Sequence, residues 1–417
     1  MIIAGSELLS PRRLRVALVI PAASSRTEQQ LRRRKSYVVL VTSILARLPQ
    51  GMAPLAIVLL VQERTGSFAY AGLASGVWAL LAAVSQPLWA RPAGRGRAER
   101  VIAATSVSQA AVVLLIALTT WDQAAVLVLL SGLGGLLAAP TSAVSRTLWP
   151  ELANDQHELD SLYTLDATTQ ELIFIAGPAI VAVLVATAGP ESALVAATIC
   201  GTLGGLSFAW AIRPIWTPHP RTTSKTHMGA AVRAPFVVLF LMALGLGFVE
   251  VGVPAAAILD GNRSAAGWLL ALWSVGSLVG GVASSRIRWR GGPGDRLPGL
   301  LTGLTCGTAV VIVTWHLGLG WLGVGLFAAG LTLAPTLAAC YGVIQEVVPS
   351  ARRTDAFAWA VTFILLGIGV GAAIGGVLAE VSPTWTFVAG TIGTLLAIGA
   401  WKVLSRSSNP EAAEEGR

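Results

Sequence analysis

Four ionisable side chains sit where the surrounding sequence is apolar: Arg47 in "TSILARLPQGMAPLAIVLL", Asp166 and Glu171 in "DATTQELIFIAGPAI", and Glu250 in "LGFVEVGVPAAAIL". An ionised group in hydrocarbon costs several kcal/mol, about 2.5–3.5 on insertion scales, so such residues are either paired or functional. The chemistry open to a carboxylate held away from water is uptake and release of a proton, or contact with a cation. At 1.5 Å per residue, Asp166 lies about 10 Å and Glu171 about 18 Å along a helix entered near Leu159, and Arg47 lies about 15 Å beyond Tyr37. Arg47 and Glu171 therefore share a depth.

Two readings of Glu171 follow. It pairs with Arg47 and holds two helices in register, or it faces a central cavity and binds a proton or cation. A cycle in which protonation breaks the pair combines them. Asp166 is about 140° around the helix from Glu171, so the two do not form a carboxylate pair on one face. Asp166 is expected near the membrane interface, with Gln170 one turn on. Glu250 lies about 22 Å along its own helix with no basic residue in its span. It reads either as a titrating group or as a hydrogen-bonded structural one.

The elements that must position these residues are membrane helices. Hydrophobic residues make up 54% of the 417, charged residues 12%, and mean hydropathy is +0.70. A soluble domain cannot hide so much apolar surface. The apolar residues fall in blocks of about 20, the length that crosses a bilayer. Twelve spans are expected, at 37–60, 68–90, 100–120, 124–147, 159–187, 191–212, 236–259, 265–285, 298–315, 321–347, 356–379 and 384–403. Nearly all of the 29 Lys and Arg then lie on one side with both termini, Arg146 counting with the loop between spans 4 and 5. The other side holds only Arg64 and Arg263, so the termini are expected in the cytoplasm. Residues 1–36 read as a basic, disordered tail, although 11–25 has the outline of a signal peptide broken by Pro21. The net charge of +8 is then topology facing anionic lipid, and nucleic acid is not an expected partner.

The chain also repeats itself. "AGLASGVW" (71–78) and "AGWLLALW" (266–273) align at an offset of 195, which places Trp78 on Trp273, Arg91 on Arg286 and Arg95 on Arg290. "APT" recurs at 139–141 and 334–336, so Pro140 falls on Pro335, and "AGPAIVAVL" aligns with "VGAAIGGVL", placing Gly177 on Gly371. Six helices (37–212), a linker (213–235), six helices in the same orientation (236–404) and a tail (405–417) follow. Parallel repeats of this kind favour a site between the halves near the midplane. Gly177, Pro178, Pro140 and Pro335 read as kink or packing positions. Trp78 and Trp273, both mid-span, are candidates for stacking on an aromatic substrate.

With this plan, the basic 2–3 and 8–9 loops and the Gly-Pro of span 5, the chain resembles a major facilitator superfamily transporter over about residues 37–404. "AGP" at 176–178 is similar to the Gly-Pro core of the antiporter motif in the family's drug exporters. "APTSAVSRTLWPEL" running on to "ELIFIAGP" resembles the branch that includes macrolide and siderophore exporters. The resemblance implies that spans 1 and 5 are neighbours, that spans 1, 4, 7 and 10 line the cavity, and that Glu250 serves an outward-facing gate. It also implies a monomer. The loop signature is degenerate: Arg91 is kept, but Gln86 and Ala90 replace its Gly and Asp, and Ser285 precedes Arg286 where Asp is expected. Val181 and Ala182 stand in place of the trailing Gly pair of the span-5 motif.

Enzyme chemistry finds no support. His157, His219, His227 and His316 lack metal-ligand spacing, and no Gly-Lys-Ser/Thr phosphate loop or Gly-x-Ser-x-Gly elbow is present. Cys200, Cys306 and Cys340 are scattered through spans and define neither a disulfide nor a metal set. No cofactor is expected. The reading is a secondary active transporter in the bacterial cytoplasmic membrane, exporting a small amphipathic compound, cationic or neutral, in exchange for protons. The site residues are Arg47, Asp166, Glu171 and Glu250. A nutrient uptake carrier, and a sensor or assembly partner that keeps the fold without transport, are the alternatives.

Overall fold

The computed structural model describes residues 26–118, 123–217, 233–287, 289–348 and 353–407. Of the expected tail (1–36), residues 1–25 lie outside the described residues, as does most of the expected linker, while residues 26–36, expected to be disordered, form the first turns of α1. Every regular element among those described is helical. The first half comprises α1 (Arg26–Thr65), α2 (Phe68–Pro92), α3 (Ala98–Leu118), α4 (Ala124–Leu136), α5 (Thr141–Leu152) and α6 (Gln156–Ile212). The second comprises α7 (Arg233–Leu259), α8 (Ala265–Arg286), α9 (Pro293–Trp315), α10 (Leu319–Gly330), α11 (Leu333–Val347), α12 (Arg353–Val381) and α13 (Pro383–Ser407). Among the described residues, ten stretches of helix are long and apolar enough to cross a membrane.

Two of those stretches, Phe68–Leu118 and Ser161–Ile212, run to 51 and 52 residues. A straight helix of that length spans about 75 Å, against roughly 30 Å of hydrocarbon. Each breaks at a glycine with left-handed backbone, Gly96 (φ +86°) between α2 and α3 and Gly189 (φ +80°) inside α6. A side chain is disfavoured in that conformation, so these two glycines set the reversals.

Two of the expected spans are each built of two helices within one stretch long and apolar enough to cross a membrane. Residues 124–147 are not one helix but α4 and α5, and 321–347 are α10 and α11. The breaks fall at equivalent places, just before Pro140 and Pro335. Proline has no N–H, and its ring crowds the carbonyl four residues earlier, which is where α4 and α10 stop. By contrast, Pro178 is carried inside α6 without a break in helical geometry.

Packing follows small residues, because apolar side chains gain nothing by leaving lipid for one another. The crossings come in pairs that obey the repeat. Gly135 abuts the Trp78 carbonyl, and Gly330 abuts the Trp273 carbonyl. Gly51 of α1 lies on Ile173 and Gly177 of α6, and Gly247 of α7 lies on Ile368 and Gly371 of α12. Between the halves, Gly72 of α2 meets Ala372 and Gly376 of α12, while Gly267 of α8 meets Pro178 and Ala182 of α6. At these crossings a β-carbon on the glycine would fall within 3.0 Å of a neighbouring backbone atom, so the close approach depends on glycine.

Candidate functional site

The centre of the first half's charge is Asp166, 1% exposed in α6. Its Oδ1 lies 2.9 Å from a terminal nitrogen of Arg47 on α1, and its Oδ2 accepts a 2.9 Å bond from Nε of Arg146 on α5. Arg47 is fully buried. It donates through Nε to the Ser43 carbonyl at 3.1 Å and through a terminal nitrogen to Ser43 Oγ at 3.1 Å, with Gln170 Oε1 at the limit of hydrogen bonding, 3.5 Å. Arg146 is half exposed. One carboxylate thus serves two guanidinium groups, leaving the cluster with one excess positive charge.

Arg47 therefore pairs with Asp166 and not, as one of the two readings of Glu171 has it, with Glu171. Depth along the helix is a poor guide here because helical side chains lean toward the N-terminus. Arg47 reaches back over Ser43, which brings its head level with Asp166 rather than Glu171. Gly51 on Ile173 and Gly177 sets the α1–α6 register that makes this possible. Glu171, on another face of α6, is partly buried and makes no ion pair among the described residues. Arg146 is not a loop charge; the structure places it within α5, facing the same carboxylate. The one sequence signal for it is that "SAVSRTLW" continues helically before Pro150.

Glu250 lies in α7 among Phe248, Val249 and Val251, all buried. Its Oε2 is sealed from solvent and has no hydrogen-bond partner among the described residues. Trp78 and Trp273 are 8% and 7% exposed. Each is covered by the helix that crosses it, Trp78 by α4 and Trp273 by α10, so neither ring presents a face to a ligand in this conformation. Arg91 and Arg286 are exposed in the last turns of α2 and α8. Neither makes an ion pair among the described residues, in keeping with the missing acidic residues of that loop.

At the end of the bundle away from these basic loops the halves are tied by polar contacts absent from the sequence reading. Arg263, before α8, pairs with Glu63 near the end of α1. Glu380 of α12 accepts from Ser67 Oγ and, at 2.9 Å, from the Ala69 amide. Within the first half, Arg64 donates to the Ile116 and Ala117 carbonyls at 2.6 and 2.9 Å and lies 3.5 Å from Glu191. A cavity of about 540 Å³ opens there, lined by Glu63, Asn262 and Arg263 among others. Among the described residues, no group of three or more His, Cys, Asp or Glu is placed to hold a metal.

The family model described as "Major Facilitator Superfamily" matches residues 39–249 and 235–417. A Sinorhizobium fredii protein, "Uncharacterized MFS-type transporter y4rN", is 26% identical over 410 residues, covering 90% of this chain and 96% of that one. Among solved structures, a bacterial homologue of the iron transporter ferroportin in an inward-facing state superposes with a TM-score of 0.69 at 13% identity, covering 89% of this chain and 99% of the other. The nucleoside transporter NupG gives 0.65 at 13%, covering 89% and 98%. A peptide transporter, POT, in complex with sulfate gives 0.68 at 13%, covering 89% and 95%. At these identities the likeness is one of fold.

Proposed function

The chain belongs to the Major Facilitator Superfamily, and from that premise we propose that it exports a small amphipathic compound across the bacterial cell membrane by proton-coupled alternating access. If both arms of α2–α3 and of α6 cross the membrane, and α4–α5 and α10–α11 each cross once, the chain makes twelve crossings. The basic loops then mark the cytoplasm, with both termini inside.

One observation carries the reading. The close approaches between the halves, Gly72 on Gly376 and Gly267 on Ala182, lie in the parts of the helices remote from the basic loops. The Glu63–Arg263 and Ser67–Glu380 contacts lie at the same end. Two bundles joined at one end can rock about that seam, closing one mouth as the other opens, which is the motion of a carrier rather than of a channel. On this reading the seam is the gate on the side away from the cytoplasm. No phosphate loop is present to drive the motion, so its energy comes from a gradient.

Glu250 supports proton coupling, since a carboxylate with a sealed, unpartnered oxygen has a strong electrostatic reason to exchange a proton as its surroundings change. Export rests on the Gly177-Pro178 segment, which sits at the α6–α8 crossing where the halves must part.

The test is accumulation of a panel of radiolabelled amphiphiles in cells making wild-type protein, Glu250→Gln or Glu171→Gln, with and without a protonophore. Wild type is expected to lower accumulation of at least one compound, the protonophore to abolish this, and Glu250→Gln to fail while still reaching the membrane. Raised accumulation would replace export by uptake. Protonophore-insensitive transport with an active Glu250→Gln would remove proton coupling, and no effect on any compound would sink the transport reading.

A further inference from the structure

The cluster around Asp166 holds more positive charge than its own neutrality needs. Arg47 alone balances the carboxylate, and it does so from full burial. Arg146 adds a second guanidinium and commits only its Nε to Asp166. Its two terminal nitrogens have no partner among the described residues, and its side chain is 49% exposed. A guanidinium tethered through Nε presents the remaining N–H groups as a fixed fork, the geometry that receives a planar carboxylate.

The direction of that fork follows from its neighbours. On α5, Val144, Ser145, Leu148 and Trp149 are buried, whereas Ala143, Arg146 and Pro150 lie on the exposed face. Arg146 falls on Tyr341 of α11 at the repeat offset of 195, and an axis along the membrane normal sets equivalent positions of the two halves opposite one another; Tyr163 Oη lies 3.5 Å from the Arg146 carbonyl. The exposed face of α5 therefore looks across the gap between the halves and not only into lipid. Tyr341 meets Phe357 edge-on at 5.7 Å, setting an aromatic surface opposite the cation. Arg47, Asp166, Tyr163 and Tyr341 are the ionisable groups disposed around Arg146, and one acid among them does not offset two guanidinium groups.

We propose that Arg146 is the anion-binding residue of the substrate site, and that the transported compound carries a carboxylate on an aromatic or otherwise apolar body. This rests on the transport reading above and replaces the cationic or neutral substrate expected from the sequence. Asp166 positions the fork, and Arg47 holds Asp166. The apolar body of the substrate lies toward Tyr341 and Phe357.

The test uses purified full-length protein in lipid nanodiscs and tritiated naphthylacetate, with its methyl ester and naphthylethylamine as neutral and cationic competitors of similar shape. Wild type is expected to bind the carboxylate about tenfold more tightly than the ester or the amine, the scale of a charge-assisted hydrogen-bond pair. Arg146→Gln is expected to lose that preference while its affinity for the ester stays unchanged, which a purely structural role for Arg146 does not produce. Arg146→Lys covers the case in which the Gln variant does not fold. It keeps a charge beside Asp166 but not the fork, so a reduced carboxylate affinity is expected, and an unchanged one overturns the assignment. Equal binding of acid and ester by wild type, no saturable binding of the acid, or a preference that survives in Arg146→Gln also overturns it. Gradient-driven transport of the ester or amine in proteoliposomes under those outcomes leaves the transport reading standing, whereas no movement of any of the three counts against both.

Discussion

Where the first half buries Arg47 and Asp166 and sets Arg146 beside them, the second half carries apolar or neutral residues. At an offset of 195, Arg47 falls on Met242 and Arg146 on Tyr341, and at 196, the offset between Gly51 and Gly247, Arg47 falls on the equally apolar Ala243; at 194, the offset between Gly177 and Gly371, Asp166 falls on Ala360. Met242 and Ala360 are 2% and 0% exposed and belong to one apolar cluster, with Tyr341 packed against it. The same crossings, Gly51 on Gly177 and Gly247 on Gly371, hold both sites in register. The fold therefore does not need ions at this place. A charged cluster kept in one half only fits the anion site proposed for Arg146.

That comparison can be broken most forcefully by Asp166→Ala. It leaves Arg47 buried without a counter-charge and is expected to cost about 3–5 kcal/mol, read as a lowered Tm in detergent. The larger lesson is in the double variant Arg47→Met/Asp166→Ala, which installs the second half's residues in the first. An ion pair replaced by packed apolar groups is often neutral or stabilising by about 1–4 kcal/mol, so the double variant is expected to recover most of the lost stability while transport remains absent. A double variant as unstable as the single one would show that the halves are not equivalent here.

Gly135→Ala and Gly330→Ala sharpen the equivalence from the other direction. Each new methyl meets a tryptophan carbonyl, Trp78 or Trp273, and each is expected to cost about 1–3 kcal/mol by overpacking. Similar losses of Tm support matched crossings; a large loss in one half alone does not. The smallest effect is expected from Glu63→Gln. Its pair with Arg263 is partly exposed on both sides, 40% and 33%, and worth about 0.2–1 kcal/mol. The expected outcome is a modest rise in labelling of cysteines placed along the α2–α12 seam, with no change in Tm.

Much of the fold was legible in sequence because membrane helices leave a strong local mark. Apolar blocks report on the solvent around each segment, and the repeat left identical short strings at one offset. The breaks before Pro140 and Pro335 were half legible: proline marked the positions, but whether a helix bends or stops depends on what packs beside it. Pro178, continuous within α6, shows the other outcome. The site was less legible. Arg47 and Asp166 stand out as anomalies in apolar sequence, but depth along a helix points Arg47 to the wrong partner, Glu171. Arg146 escapes notice because one charge near a span end looks like topology.

The sequence alone determined the solvent of this protein, its helical class and its two-fold internal plan, since each follows from residue type and period along the chain. Only the tertiary structure decided that Arg47 meets Asp166, that Arg146 joins them with its fork uncommitted, and that one carboxylate oxygen of Glu250 is sealed without a partner among the described residues. These depend on the register of one helix against another, and that register is set by small residues such as Gly51 and Gly177 far from the charges they align.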